Sequence, residues 1–366
     1  MENISVIGIG KLGLCFALSL EKVGYNVVGV DVNQSYVDSV NNKTLKSSEP
    51  NVELYLSKSK NFHATTDLKK SLEHSDVLFV VVATPSLDNG RYDHAQLDKL
   101  IERLESYGPA ATQKHFIICC TVMPGYTDSV KERLNKINYT VSYNPEFIAQ
   151  GTILRDQANP DMVLIGEANK EIGDILEEIY NRHTSNTPRI CRMTPMEAEI
   201  TKISLNCFLT TKIAYANMVG DIVINSGGRP DVVLGAIGSD SRIGNKYLRY
   251  GYGYGGPCFP RDNRALAIYA SDIDMPAKIS QATDQSNELH LDNQVKDFIK
   301  NHSREEEVVF DYVTYKPEST LLVESQQLKF ALKLAENGYN VIVKERKEVI
   351  DEIVKTYGNI FTFIEK

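Results

Sequence analysis

The stretch Ile4-Ser5-Val6-Ile7-Gly8-Ile9-Gly10-Lys11-Leu12-Gly13 decides the fold. A β-branched apolar run meets a Gly-x-Gly-x-x-Gly turn, and an apolar helical segment, 14–23, follows at once. A strand before and a helix after are the context in which this spacing carries meaning. Gly8 permits the tight turn, Gly10 lets the backbone approach a pyrophosphate, and Gly13 lets helix and strand pack closely. The helix N-terminus then offers unpaired N–H groups and a partial positive charge to phosphates. The next strand ends at Asp31, twenty-three residues after Gly8. A carboxylate there accepts hydrogen bonds from ribose hydroxyls and repels a 2′-phosphate, which predicts NAD rather than NADP. The plainer alternative is that the glycines only turn the chain and Asp31 caps the next helix.

Outward from this turn, strand candidates at 27–30, 77–83, 116–121 and 140–143 alternate with helical segments such as 96–107 and 127–136. Most of these runs are continuously apolar, as strands covered on both faces require. The rhythm predicts an α/β chain that opens with a Rossmann-like, doubly wound parallel sheet. Thr84 and Thr121 fall at carboxyl ends of strands, where ligands bind in open sheets. Turn or helix capping is the commoner fate of such threonines.

The rhythm changes near Pro195. From Met196 to about Asn225 there is no proline and only one glycine, Gly220. Thirty residues make a helix of roughly 45 Å, the length of a domain-spanning element or an oligomer seam. Further helices are expected at 230–237, 263–270 and 277–300, with an aromatic, Gly-rich loop at 247–262. After the charged run 304–307, a solvated linker, strand 308–310, helix 325–337, strand 340–343 and helix 347–357 form a short second α/β domain. The expected division is 1–195, 196–300 and 301–366.

The 366 residues are 42% apolar and 24% charged, the balance of a globular chain. Forty basic against forty-eight acidic residues give a net charge of −8, which disfavours nucleic acid and anionic membranes as partners. The longest apolar stretch, 77–83, is far too short for a bilayer, so no transmembrane helix is expected. Nor is a secretory signal, since MENISVIG has no basic region before an apolar run. Six cysteines without CxxC spacing suggest neither a disulfide framework nor a metal site. The expectation is a cytoplasmic protein acting on small molecules or on other proteins.

The chemistry concentrates in Gly255-Gly256-Pro257-Cys258-Phe259-Pro260-Arg261-Asp262. A cysteine framed by glycines and prolines on an open loop is a candidate nucleophile; Arg261 would favour its thiolate. Asp262 is a candidate for holding water or moving a proton. A rigid hairpin with an incidental thiol explains the loop equally well. Lys202 and Asn206, at i and i+4, share a helical face and together suit an oxyanion, though a solvated face explains them too. Glu146, after Asn144-Pro145, lies at the rim of the sheet crevice, where a carboxylate either activates water or caps a helix.

These residues resemble the nucleotide-sugar 6-dehydrogenases, their UDP-glucose branch above all. GIGKLG with Asp31, VVATPS, CTVMPG, NPEFIAQGT, ITKISLNCFLTTKIAYAN, DSRIGNKYL, GYGYGGPCFPRD and TYKPES stand in the family's order across about residues 3–329. The resemblance implies a four-electron oxidation of the sugar's C6 alcohol to a carboxylate with two NAD. It implies Cys258 as the nucleophile forming a thiohemiacetal and then a thioester, with Lys202 and Asn206 steadying the oxyanion. Asp262 and Thr121 would hold the catalytic water, and Glu146 would serve thioester hydrolysis. For the cofactor it implies Gly8, Gly10, Leu12, Gly13, Asp31, Tyr36, Thr84, Thr121 and Arg261. For the nucleotide sugar it implies Glu146, Phe147, Ile148, Gln150, Lys202, Asn206, Tyr247, Leu248, Tyr250, Gly251, Gly255 and Lys316, with Arg242 reaching over from a neighbouring subunit. It also implies a homodimer built on the long helix, and a UDP-binding role for 301–366.

The chain departs from the family's pattern at several points. Lys11 stands where an aromatic residue is usual, and Tyr36 where a basic one often meets the adenosine ribose. Gln150 replaces a frequent glutamate, and Arg261 a lysine, which alters hydrogen-bond geometry. Val323 replaces an arginine before Glu324-Ser325. The C-terminal part is short, and Phe310-Asp311 lacks a glycine. Competing readings are a UDP-N-acetylhexosamine or GDP-mannose 6-dehydrogenase, a non-catalytic NAD-binding relative, and a two-electron 3-hydroxyacid dehydrogenase. NADH formed per substrate separates a four-electron enzyme, a non-catalytic protein and a two-electron enzyme: two, none or one.

Overall fold

The computed structural model describes residues 2–148, 151–317 and 319–366. The chain divides into two compact units, Met1–Lys202 and Ile203–Lys366.

The first unit runs β1 (Asn3–Ile7), α1 (Lys11–Lys22), β2 (Asn26–Val30), α2 (Gln34–Asn41), α3 (Val52–Lys58), β3 (Phe62–Thr65), α4 (Leu68–His74), β4 (Val77–Val80), α5 (Ala95–Tyr107), β5 (Lys114–Ile118), α6 (Tyr126–Lys136), β6 (Tyr139–Tyr143), α7 (Ile153–Ala158), β7 (Met162–Gly166), α8 (Lys170–His183) and β8 (Arg189–Met193). It ends in the first turns of α9 (Pro195–Asn225). The eight strands lie in the order β3-β2-β1-β4-β5-β6-β7-β8. Alternate strand residues feed two cores, as a doubly wound sheet demands. Ile4, Val6, Val27, Phe79 and Ile117 pack with Leu14, Phe16 and Leu18 of α1. Ile7, Val30, Leu78, Val80, Phe116 and Ile118 pack with Leu97, Ile101 and Leu104 of α5.

Two expectations change here, and one helix takes a borrowed cap. The strands expected at 77–83 and 116–121 stop at Val80 and Ile118; the residues beyond them form crevice loops. The sheet is parallel from β3 through β6, but β7 joins β6 antiparallel, through Tyr143 and Gly166. The connection from β6 to β7 passes through the six-residue α7. Finally, α6 opens on Gly125, which has no side chain to cap it, so Glu199 of α9 does so. It accepts from Gly125 N at 2.6 Å, Thr127 N at 2.9 Å and Thr127 Oγ1 at 2.5 Å.

The second unit holds the rest of α9, then α10 (Pro230–Gly238), α11 (Phe259–Asp272), α12 (Lys278–Asn301), β9 (Glu307–Phe310), α13 (Gln326–Glu336), β10 (Asn340–Glu345), α14 (Lys347–Tyr357) and β11 (Thr362–Glu365). Its three strands are parallel, in the order β11-β10-β9. Leu291 and Val295 of α12 share one core with Phe330, Leu334, Val341 and Val343. The long loop expected at 247–262 is shorter than its sequence suggested, because Phe259–Asp262 already form the first turn of α11.

Among the described residues α9 alone is long and apolar enough to cross a membrane, by length and composition. That helix interleaves its apolar residues with charges. Glu199, Lys202 and Asp221 on that helix are buried with polar partners from other elements, an arrangement that suits the interior of a folded protein.

Candidate active site

The turn after β1 is shaped by its backbone. Gly8 has φ +91°, and a Cβ there would lie 2.4 Å from the Val81 carbonyl oxygen. A Cβ on Gly13 would lie 2.0 Å from the carbonyl oxygen of Gly8, so helix and turn touch directly. A Cβ on Gly10 would meet nothing within 4 Å. That open position, at the N-cap of α1, fits a pyrophosphate held by bare N–H groups. Leu12 turns its side chain, partly buried, onto the core.

Asp31 accepts from Asn33 N at 3.0 Å, and it is Asn33, not Asp31, whose side chain caps α2. The plainer role for Asp31 therefore falls away. The Tyr36 hydroxyl donates to the Ile9 carbonyl at 2.7 Å, latching the glycine turn from beneath. Burial, reinforced by Asp31, pushes its phenol up to about 12. The two crevice threonines meet: Thr84 Oγ1 donates to the Thr121 carbonyl at 2.7 Å.

Glu146 follows β6 by three residues. Lys202, buried, donates to the Glu146 carbonyl oxygen at 2.5 Å and sits 4.3 Å from the centre of the Phe147 ring. Burial raises the Glu146 carboxyl to about 7, against the pull of Lys202. Such a group changes charge at neutral pH, the range in which a general base works best. Phe147 and Ile148 pack against opposite cores of the sheet. Gln150 lies outside the described residues.

The second unit places the thiol. Cys258 is exposed and forms the N-cap of α11. A helix N-terminus favours a thiolate. Among the other cysteines, burial pushes the thiols of Cys15 and Cys207 up to about 12 and raises that of Cys119. One turn on, Asp262 is 1% exposed. Asn206 Nδ2 donates to it at 2.6 Å, and Arg261 Nε, expected at the cofactor, donates at 3.1 Å. Charge-assisted bonds of this kind hold a buried carboxylate in one orientation.

The remaining expected residues scatter. Tyr247 is exposed, with φ +63°, an uncommon backbone for an aromatic residue. Leu248 is buried with Ala216 and Leu234. The Tyr250 hydroxyl turns to Asp221, and Gly251 N donates to Asn217 Oδ1. Arg242 makes a two-toothed, exposed pair with Asp240. Lys316 lies 5.6 Å from the Tyr315 ring centre. A Cβ on Gly255 would sit 2.2 Å from the Glu324 carbonyl oxygen, and one on Gly256 2.5 Å from the Tyr315 ring. Those two glycines let the chain before Cys258 lie against residues near 315 and 324. Glu324, beside the exposed Val323, takes Arg264 at 2.7 Å and Lys329 at 2.9 Å. No motif pointed to Arg264, which pairs with both Asp284 and Glu324 across the sequence.

Comparison with known proteins agrees with this geometry. The UDP-glucose/GDP-mannose dehydrogenase family, NAD binding domain, matches residues 2–184, and the central domain of the same family matches residues 196–289. The GDP-mannose 6-dehydrogenase of Pseudomonas aeruginosa is 30% identical over 380 residues, covering 99% of this chain and 85% of that protein. The UDP-glucose 6-dehydrogenase of Bacillus subtilis is 29% identical over 281 residues, covering 74% of this chain and 62% of that protein. The structure of a UDP-glucose dehydrogenase from the archaeon Pyrobaculum islandicum superposes with a TM-score of 0.88 at 27% identity, covering 100% of this chain and 86% of that one. With a glycine turn open to a pyrophosphate and matched domains on both sides of Pro195, the chain belongs to the UDP-glucose/GDP-mannose dehydrogenase family of NAD-dependent oxidoreductases.

Proposed function

We propose that this chain oxidises the C6 alcohol of UDP-glucose to the carboxylate of UDP-glucuronate. The observation that carries the reading is Cys258: exposed, at the N-terminus of α11, one turn before a pinned and buried Asp262. Gly8, Gly10, Leu12 and Gly13 cradle the pyrophosphate of the cofactor and Asp31 takes its ribose, with Tyr36, Thr84, Thr121 and Arg261 around them. NAD supplies the hydride acceptor, and two molecules are consumed per sugar.

The first oxidation removes a hydride from C6 and the proton of its hydroxyl, leaving an aldehyde. The Cys258 thiolate adds to the aldehyde carbon; a C–S bond forms and the carbonyl oxygen becomes the oxygen of a thiohemiacetal. Lys202 and Asn206 steady negative charge on that oxygen. Loss of the second hydride leaves a thioester on Cys258. Thr121 and Asp262 hold a water, Glu146 accepts its proton as oxygen attacks, and the C–S bond breaks to return the thiolate.

The sugar nucleotide meets Glu146, Phe147, Ile148, Gln150, Tyr247, Leu248, Tyr250, Gly251, Gly255 and Lys316, and the Arg242 of a second copy. Phe208, Tyr215, Met218 and Ile222 stand exposed along α9 and suit a homodimer seam. Residues 1–195 serve NAD, 196–300 dimerisation and catalysis, and 301–366 the UDP moiety, in the cytoplasm. The TM-score of 0.88 to a UDP-glucose dehydrogenase favours UDP-glucose. Identity of 30% over nearly the whole chain to a GDP-mannose 6-dehydrogenase favours GDP-mannose as the second reading. Turnover across a panel of UDP- and GDP-sugars, with NADH counted, decides. Two NADH per UDP-glucose is the expected result, and one or none overturns the four-electron reading.

A further inference from the structure

We propose that His290 is a positioning residue for the loop at 247–252, clamping it through a buried ion pair with Asp221. His290 is 2% exposed. Its Nδ1 lies 3.0 Å from both Asp221 carboxylate oxygens, and its Nε2 lies 2.7 Å from the Gly251 carbonyl oxygen. A carboxylate and a carbonyl only accept hydrogen bonds, so the ring donates through both nitrogens and carries a charge. Asp221 is met as an anion, with Asn293 Nδ2 donating at 3.0 Å and Tyr250 Oη at 3.1 Å.

The clamp closes on backbone. The Gly251 carbonyl also takes Gln294 Nε2 at 3.1 Å, while the Gly251 N–H goes to Asn217 Oδ1 at 3.1 Å. Asn217 Nδ2 donates to the Tyr252 carbonyl at 3.3 Å. Both polar groups of Gly251 are therefore held by side chains of α9 and α12. Gly220, the one glycine of α9, belongs to the same device, since a Cβ there would lie 2.0 Å from the Tyr250 ring. The ring of Tyr250 meets that of His290 edge-on, 5.4 Å between centres. Asp297 of α12 adds a further negative charge near Tyr250. A buried ion pair brings little net stability over apolar packing. Its worth here is a fixed loop, and no step of the chemistry uses it.

The inference rests on the reading that this loop contacts the nucleotide sugar, and its test separates the two. Nitrogen-15 spectra of histidine-labelled protein should show one histidine with both ring nitrogens protonated, a signal lost in His290→Gln. Hydrogen exchange of the peptide covering 247–257, measured without substrate, should accelerate at least tenfold in His290→Leu and His290→Gln. KM for the nucleotide sugar should rise tenfold or more while KM for NAD stays within twofold. His290→Gln is the milder variant and keeps the test open if His290→Leu fails to fold. Unchanged exchange in either folded variant, or a singly protonated His290, overturns the clamp. Faster exchange in the variants of a parent that oxidises no nucleotide sugar upholds the clamp and overturns only the substrate reading.

Discussion

The turn before α1 and the turn before α11 both end in a helix N-terminus, and they are built in opposite ways. The first is made rigid by its own backbone: Gly8 N donates to Val30 O at 2.8 Å, and Gly13 packs on Gly8. The second is made rigid by side chains of a helix later in the chain, α12. Asn287 grips both polar backbone groups of Tyr254, at 2.9 and 3.0 Å, and the Tyr254 hydroxyl donates to Asp284 at 2.6 Å. Binding a pyrophosphate requires bare N–H groups, so side chains are kept away. Aiming a thiol requires one fixed Cα, and long-range polar contacts can fix it without crowding the sulfur.

The sharpest way to break this contrast is Cys258→Ser. If the second turn is a scaffold for a sulfur, acid formation should fall by about a thousandfold or more while folding is unchanged. Steady-state assay and thermal melting check both, and acid made near the parental rate would sink the covalent route. The first turn should respond differently to its two glycines. Gly13→Ala forces a Cβ against backbone and should cost about 1–3 kcal/mol of stability. Gly10→Ala meets nothing within 4 Å, so stability should hold while NAD affinity drops by about tenfold. Denaturant unfolding and cofactor titration separate the pair; equal destabilisation would contradict the geometry.

A third prediction uses the carboxyl that burial raises to about 7. Below that pH Glu146 is protonated and accepts nothing, so acid release should rise about tenfold per pH unit and level off above 7. The linkage runs the other way for folding. A raised carboxyl contributes stability below its unfolded value of 4.5, and that contribution is lost as pH rises through 7. Glu146→Gln should therefore abolish the rising limb and raise the melting temperature above pH 7. A pH–rate profile and melting curves decide. The smallest effect should come from Tyr36→Phe, which removes one hydrogen bond beneath the glycine turn and should cost about 1 kcal/mol. Calorimetry that finds no loss would mean that the latch contributes nothing.

What the chain's own residues disclosed follows the same division. The glycine turn was legible because each glycine answers a local demand, and Cys258 because five other cysteines sit in apolar or helical runs. The termini of β4 and β5 were not legible, since Val81–Ala83 and Cys119–Thr121 are as apolar as the ladder yet form loops. The reversal at β7 was not legible, because apolar spacing does not register strand direction. Asn33 took the capping role offered to Asp31 because the helix begins later than the strand's end suggested. The Tyr250 hydroxyl faces Asp221, twenty-nine residues away in sequence, which no local pattern encodes.

The borrowed cap on α6 has a consequence for synthesis. Glu199 is 72 residues downstream of Thr127. At translation rates of about 5–20 residues per second, the start of α6 waits roughly 4–14 seconds for the carboxylate that completes it. The NAD-binding unit therefore lacks the cap of α6 when β8 has emerged, and gains it only as α9 begins to leave the exit tunnel. A chain stopped at residue 184 would contain every strand but β8, and would still carry a helix with two bare amides at its head.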